Sequence, residues 1–151
     1  FVIAGAPSQD YEFYEQFIKN KNIAFVSNKT YDLLRSSTAA LVTSGTATLE
    51  TALFKVPEVV CYKGSAISYQ IAKRIITLKY ISLVNLIMDQ EVVTELIQSD
   101  CNTKRIKEEL QKLLEPNYRE KLLKNYDILE QKLGGVGASK KTAKLIVADL
   151  K

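Results

Sequence analysis

The chain has 151 residues, 46% of them hydrophobic and 25% charged, with 21 Lys and Arg against 17 Asp and Glu for a net charge of +4. Such a composition excludes a disordered chain and predicts one domain, or one large piece of a protein, built on a single core. Histidine is absent, which excludes a His-based catalytic triad, a His acid or base, or a His-containing zinc site made from these residues alone.

Taken in chain order, Phe1–Ala4 reads as a buried strand, followed by a loop at Gly5–Ser8 and a helix from about Gln9 to Asn20. Asn22–Val26 is a second strand, and Ser27 or Asn28 caps a helix through Tyr31, Leu34 and Arg35. Ala39–Val42 is a third strand. Leu49, Ala52, Leu53 and Val56 then recur at helical spacing up to Pro57, and Glu58–Tyr62 forms a fourth strand. A helix is expected over 65–78 and a fifth strand or extended segment at Tyr80–Val84. Helices are expected near 90–99, 103–114, 116–133 and 139–150. Near-continuous apolar strands alternating with helices predict an α/β fold, a Rossmann-like three-layer domain with a parallel sheet of about five strands followed by C-terminal helices. Gly134, Gly135 and Gly137 follow a helix rather than a strand, so they read as a helix stop and hinge, not a phosphate loop. Cys61 and Cys101 lack a CxxC spacing and read as buried thiols of a reduced, intracellular protein. No apolar run reaches the ~18–20 residues of a spanning helix. The chain opens on Phe1 inside a strand-like run, without an initiator Met or signal peptide, and is read as a fragment.

In an open parallel sheet, ligands bind beyond the carboxyl ends of the strands. Thr43-Ser44-Gly45-Thr46-Ala47-Thr48 joins the third strand to its helix and combines small hydroxyls with a glycine at a helix start, where free amides and the helix dipole attract a phosphate or diphosphate. The simpler alternative is that Ser44 or Thr46 caps the helix. Glu50 lies four residues beyond Thr46, on the same face and about 6 Å along the axis. From there its carboxylate can accept from the adjacent hydroxyls of a ribose next to a diphosphate, or serve as a solvated helix charge.

Ser44–Glu50, Lys55-Val56-Pro57, Val59–Lys63, Ile71–Arg74, Tyr80–Ile87 and Glu95–Gln98 stand in the order found in bacterial lipid-A-disaccharide synthase, and the chain resembles the C-terminal half of that family from about Ser27 to the Gly134–Ala148 stretch. The resemblance implies half of a GT-B fold. Residues 1–133 would be the UDP-sugar-binding domain without its first strand, and 134–151 a glycine hinge with a crossover helix, poorly anchored or docked on a second molecule. It implies an inverting, metal-independent glycosyltransferase without a cofactor, in which UDP-2,3-diacylglucosamine and 2,3-diacylglucosamine 1-phosphate give the lipid A disaccharide 1-phosphate and UDP. By the same resemblance Thr43, Ser44, Gly45, Thr46 and Ala47 would hold the donor diphosphate and Glu50 the ribose. Tyr62, Lys63, Asn85 and Gln90 would lie by the donor sugar or phosphates.

The chain departs from the family with Val84 in place of a proline and Asp89-Gln90 in place of Gly-Arg, so Gln90 lacks the charge an arginine would bring. The family's opening strand and the acceptor-side domain, with the general base, are expected outside this chain, leaving the fragment inactive alone. The implied partners are the two acylated substrates, the missing N-terminal domain, the cytoplasmic face of the inner membrane and a second copy in a homodimer. Ile67, Ile71, Ile75 and Leu78, with Lys73, Arg74 and Lys79 nearby, suit either an interfacial helix or, better, one packed on the sheet. Nucleic acid is not an expected partner. Residues 102–151 hold 12 basic side chains but also 7 acidic ones interleaved with them, among them Glu108, Glu109, Glu115 and Glu120. The competing functions are another UDP-sugar glycosyltransferase or epimerase of the same architecture and a non-catalytic α/β binding module.

Overall fold

In the computed structural model, residues 1–19, 22–65, 79–135 and 137–149 are described. The class is α/β, as expected. The chain divides into two compact units, Phe1–Thr38 and Ala39–Lys151, so the expected boundary near Gly134 falls inside the second. The five strands among the described residues form one parallel sheet of two and another of three, not a single five-stranded sheet.

In the first unit β1 (Val2–Gly5) pairs with β2 (Ala24–Ser27), Val2 opposite Ala24 and Gly5 opposite Ser27. Its helices are short, α1 at Tyr11–Glu15 and α2 at Thr30–Ser36, the first much shorter than the spacing from Gln9 to Asn20 predicts. Phe25 organises this end of the chain. The rings of Tyr11 and Tyr14 lie 5.3 and 5.1 Å from it, and the Tyr14 hydroxyl accepts from the Ala6 N–H at 2.8 Å, closing the loop after β1.

In the second unit β3 (Ala40–Thr43), β4 (Glu58–Tyr62) and β5 (Thr94–Ile97) run parallel in that order. The registers Thr43 to Cys61 and Cys61 to Leu96 align the carboxyl ends of all three strands. The helices are α3 (Thr46–Leu53), α4 (Leu83–Met88), α5 (Thr103–Leu113), α6 (Pro116–Lys132) and α7 (Ala138–Asp149). Val59 and Val60 point to opposite faces of β4 and both are fully buried, as a sheet covered on both sides requires. The core continues through Ala52 of α3, Val84 of α4, and Leu122 and Leu129 of α6. Truncating a side chain such as Leu129 there costs about 2–5 kcal/mol. Lys55, just past α3, fastens that end of the helix to α6 through Asp127 and Glu130, each at 2.7 Å.

Two elements differ from expectation. Tyr80–Val84 is not a strand. Ser82 caps α4 by accepting from the Asn85 N–H, and the helix stops at Asp89, which takes the left-handed conformation at φ 51°. The fifth strand instead falls at Thr94–Ile97, inside the segment expected to be helical. The β-branched run Val92-Val93-Thr94 favours extended backbone there, and Leu96 fills the core. The glycine cluster is a helix stop, as read from sequence. Gly134 and Gly135 take φ of 81° and 62°, and the Gly134 N–H donates to Gln131 O at 3.0 Å. No residue of α7 is buried. The expected helix over 65–78, with its apolar face, lies outside the described residues apart from Ser65. Among the described residues no helix is long and apolar enough to cross a membrane.

Glu58 and Cys61 carry predictions. The Glu58 side chain opens β4 fully buried, with neither carboxyl oxygen hydrogen-bonded, and burial pushes it from 4.5 up to about 9. The native state therefore holds this proton more tightly than the unfolded state. That contribution to stability is complete below about pH 4.5 and is lost as pH rises through about 9. Glu58→Gln is neutral throughout, so urea unfolding should show the variant gaining on the parent between pH 5 and 9, by on the order of 1 kcal/mol per pH unit at the steepest. Cys61 and Cys101 are half-buried rather than buried. Burial, then the charge and hydrogen bond of Cys101, push the Cys61 thiol up to about 11. Native Cys61 should react with iodoacetamide at pH 7.5 at least roughly tenfold more slowly than it does in urea.

Candidate functional site

The Thr43–Ala47 loop leaves β3 at the carboxyl edge of the sheet. Thr43, Gly45, Thr46 and Ala47 are exposed, while Ser44 and Glu50 are half-buried. Neither capping alternative is realised. Gly45 occupies the N-cap position of α3 and no side chain caps the helix, because the Ser44 hydroxyl turns away to donate to Ile81 O at 2.9 Å. The Thr48 hydroxyl and N–H both go to Gly45 O, at 2.8 and 3.3 Å. The Thr46 and Ala47 amides have no acceptor among the described residues, so the positive end of α3 faces outward uncompensated. Gly45 has φ 152°, a conformation that favours glycine, and a Cβ placed there would meet nothing within 4 Å. Open space therefore lies beside Gly45, the residue before the free amides. Glu50 is one turn further along α3, and its carboxylate has no hydrogen bond or ion pair with any described residue.

The loop after β4 is brought alongside. The Ser44 N–H reaches Cys61 O at 3.4 Å, which sets Tyr62 and Lys63 next to the β3 loop, both exposed. Gln98, at the end of β5, braces that loop. Its N–H donates to Tyr62 O at 2.8 Å, its Oε1 accepts from the Gly64 N–H at 3.2 Å, and its own backbone has φ 51°.

Asn85, expected by the donor sugar or phosphates, is turned into the fold. It is fully buried, and all four hydrogen-bonding positions of its amide are used. Oδ1 accepts from the Val92 and Val93 N–H groups at 2.8 and 3.0 Å, and Nδ2 donates to Val93 O at 2.8 Å and Glu95 Oε1 at 2.9 Å. Gln90 is exposed beyond the end of α4, and its N–H bonds back to Asn85 O rather than to the β3 loop. In the sequence Glu95 and Gln98 stand out only as parts of a motif. Glu95 stands at the centre of this network, accepting from the Ile81 and Ser82 N–H groups at 2.9 Å each as well as from Asn85. The available signal is a carboxylate in the largely apolar run Val92–Ile97, which must find donors there.

A family model described as lipid-A-disaccharide synthetase matches residues 6–147. Among curated relatives, the chain is 37% identical to a lipid-A-disaccharide synthase of Geobacter sulfurreducens over 64% of its own length and 25% of that protein's. It is 38% identical to the synthase of Syntrophus aciditrophicus over 67% and 27%, and 50% identical to that of Psychromonas ingrahamii over 41% and 16%. The chain thus spans about a quarter of the length of the first two. With a match over nearly all of its residues, on a parallel α/β scaffold, the chain belongs to the lipid-A-disaccharide synthetase family.

Proposed function

We propose that these residues form the donor-nucleotide side of an inverting, metal-independent glycosyltransferase. In this reading UDP-2,3-diacylglucosamine gives up its sugar to 2,3-diacylglucosamine 1-phosphate, releasing UDP and forming the lipid A disaccharide 1-phosphate at the cytoplasmic surface of the inner membrane. The observation that carries the reading is the uncapped start of α3 at the carboxyl edge of the sheet, with open space over Gly45.

The chemistry asked of this side is to bind the diphosphate and to stabilise it as it leaves. Backbone N–H groups of Thr46 and Ala47 and the helix dipole act on the oxygens where negative charge grows as the glycosidic bond to UDP breaks. Lys63 adds a mobile point charge from the neighbouring loop. Glu50 accepts from the ribose hydroxyls, which fixes the nucleotide's direction along α3. Ser44 contributes through the backbone it anchors, since its hydroxyl proton is committed to Ile81 O. Asn85 and Glu95 hold the structure behind the site. Donor binding, not turnover, is the activity assigned to these 151 residues.

Calorimetric titration with UDP should show saturable binding that EDTA leaves unchanged. Glu50→Ala should weaken it by about tenfold, the loss expected for one charge-assisted hydrogen-bonding group. Gly45→Ala, forced toward negative φ, should weaken it by at least a similar factor of about ten while leaving the fold intact. Absence of UDP binding at millimolar concentration, or unchanged affinity in both variants, would remove the donor-site reading.

A further inference from the structure

The peptide group between Ile81 and Ser82 is gripped from both sides. Its N–H donates to Glu95 Oε1 at 2.9 Å, and its C=O accepts the Ser44 hydroxyl proton at 2.9 Å. Glu95 Oε2 takes the preceding amide, Ile81 N–H, also at 2.9 Å, so one carboxylate spans two consecutive amides while its Oε1 holds Asn85 Nδ2 as well. The Ser44 hydroxyl bond is the one hydrogen bond between the donor loop and this turn among the described residues. The Ser44 N–H bond to Cys61 O is long, at 3.4 Å, and the amides that follow are unpaired among the described residues.

We propose that Glu95 is a positioning residue for the donor site: acting through the Ile81–Ser82 peptide, it fixes the Ser44 hydroxyl and thereby the geometry at which α3 presents its free amides. The inference rests on the donor-site reading above. A carboxylate is the side chain this place requires, because only an acceptor at both oxygens satisfies two adjacent N–H donors. Glutamine is nearly isosteric, but with its oxygen kept where the Ser82 N–H and Asn85 Nδ2 converge it sets an NH2 group against the Ile81 N–H, which loses its partner, so the Ile81–Ser82 peptide is no longer braced from the residue before it and can turn. Turning that peptide carries Ile81 O away from Ser44, and a freed Ser44 hydroxyl can rotate toward the Thr46 amide and cap the helix, competing with the diphosphate. Glu95 thus acts on the nucleotide without touching it.

The test is a pair of double-mutant cycles with Glu95→Gln and Ser44→Ala, one read by urea unfolding without nucleotide and one by UDP titration of the same four proteins. Positioning through Ser44 predicts non-additive unfolding free energies. It also predicts that Glu95→Gln weakens UDP binding by about tenfold in the Ser44 background and by less than about twofold once Ser44 is alanine. A simple loss of stability would not depend on Ser44 in this way. Additive unfolding effects, or UDP affinity unchanged by Glu95→Gln in a parent that binds UDP, would overturn the proposal. Should Glu95→Gln fail to fold, Ser44→Ala alone decides, since unchanged affinity there overturns it and a clear change supports it. A parent that binds no UDP overturns the donor-site reading and the positioning role with it, while non-additive unfolding would still separate that failure from an absent Glu95–Ser44 link.

Discussion

Backbone N–H groups at the start of a helix need acceptors, and in α3 the first ones have none among the described residues. Most of the second unit's architecture can be understood from that constraint. Three parallel strands in register bring their carboxyl ends to one edge, and β3 delivers its chain there through Gly45 into α3. The side chains best placed to cap the helix are occupied elsewhere: the Ser44 hydroxyl goes to Ile81 and the Thr48 hydroxyl back to the Gly45 carbonyl. A helix start left bare beside open space is poorly satisfied on its own and well matched to an anion.

What holds the start of α3 open is the layer behind it. Glu95, Asn85 and Ser82 form a closed polar network between α4 and β5 in which nearly every donor meets an acceptor. Such a network is rigid because its members hold one another in place, and an unpaired member would be costly around the buried Ser82 and Asn85. It contrasts with Glu58 at the other end of β4, a buried carboxyl without hydrogen bonds, which keeps its proton rather than its charge. Two glutamates on neighbouring strands, Glu58 buried and Glu95 half-buried, thus play opposite parts. One is surrounded by N–H donors and organises a loop, and the other is neutral and titrates against stability.

Much of this was legible in the sequence. The Glu58–Tyr62 strand, the helices over 103–114 and 116–133, the glycine stop and the loop at 43–47 all follow from local pattern, since each is bounded by a proline, glycine or cap that acts over a few residues. The segment from Tyr80 to Ser99 was misread because short apolar runs do not distinguish strand from helix. There the outcome depends on a capping serine at Ser82 and on pairing with β4, the second of which is a long-range event. Motif resemblance located Asn85 but not its direction, because an amide that binds ligand and an amide that binds backbone look alike in sequence. Glu95 escaped notice for the reverse reason, as its role exists only once Ile81, Ser82 and Ser44 are brought together in space.

The central claim is that the bare amides at the start of α3 receive a nucleotide diphosphate. Backbone amide resonances of the chain followed during a UDP titration test it most directly. The account predicts the largest shifts at Gly45, Thr46 and Ala47, smaller ones at Glu50 and Lys63, and an unmoved side-chain amide at Asn85. Shifts centred on α7 or on the first unit, with Gly45–Ala47 unchanged, would contradict it.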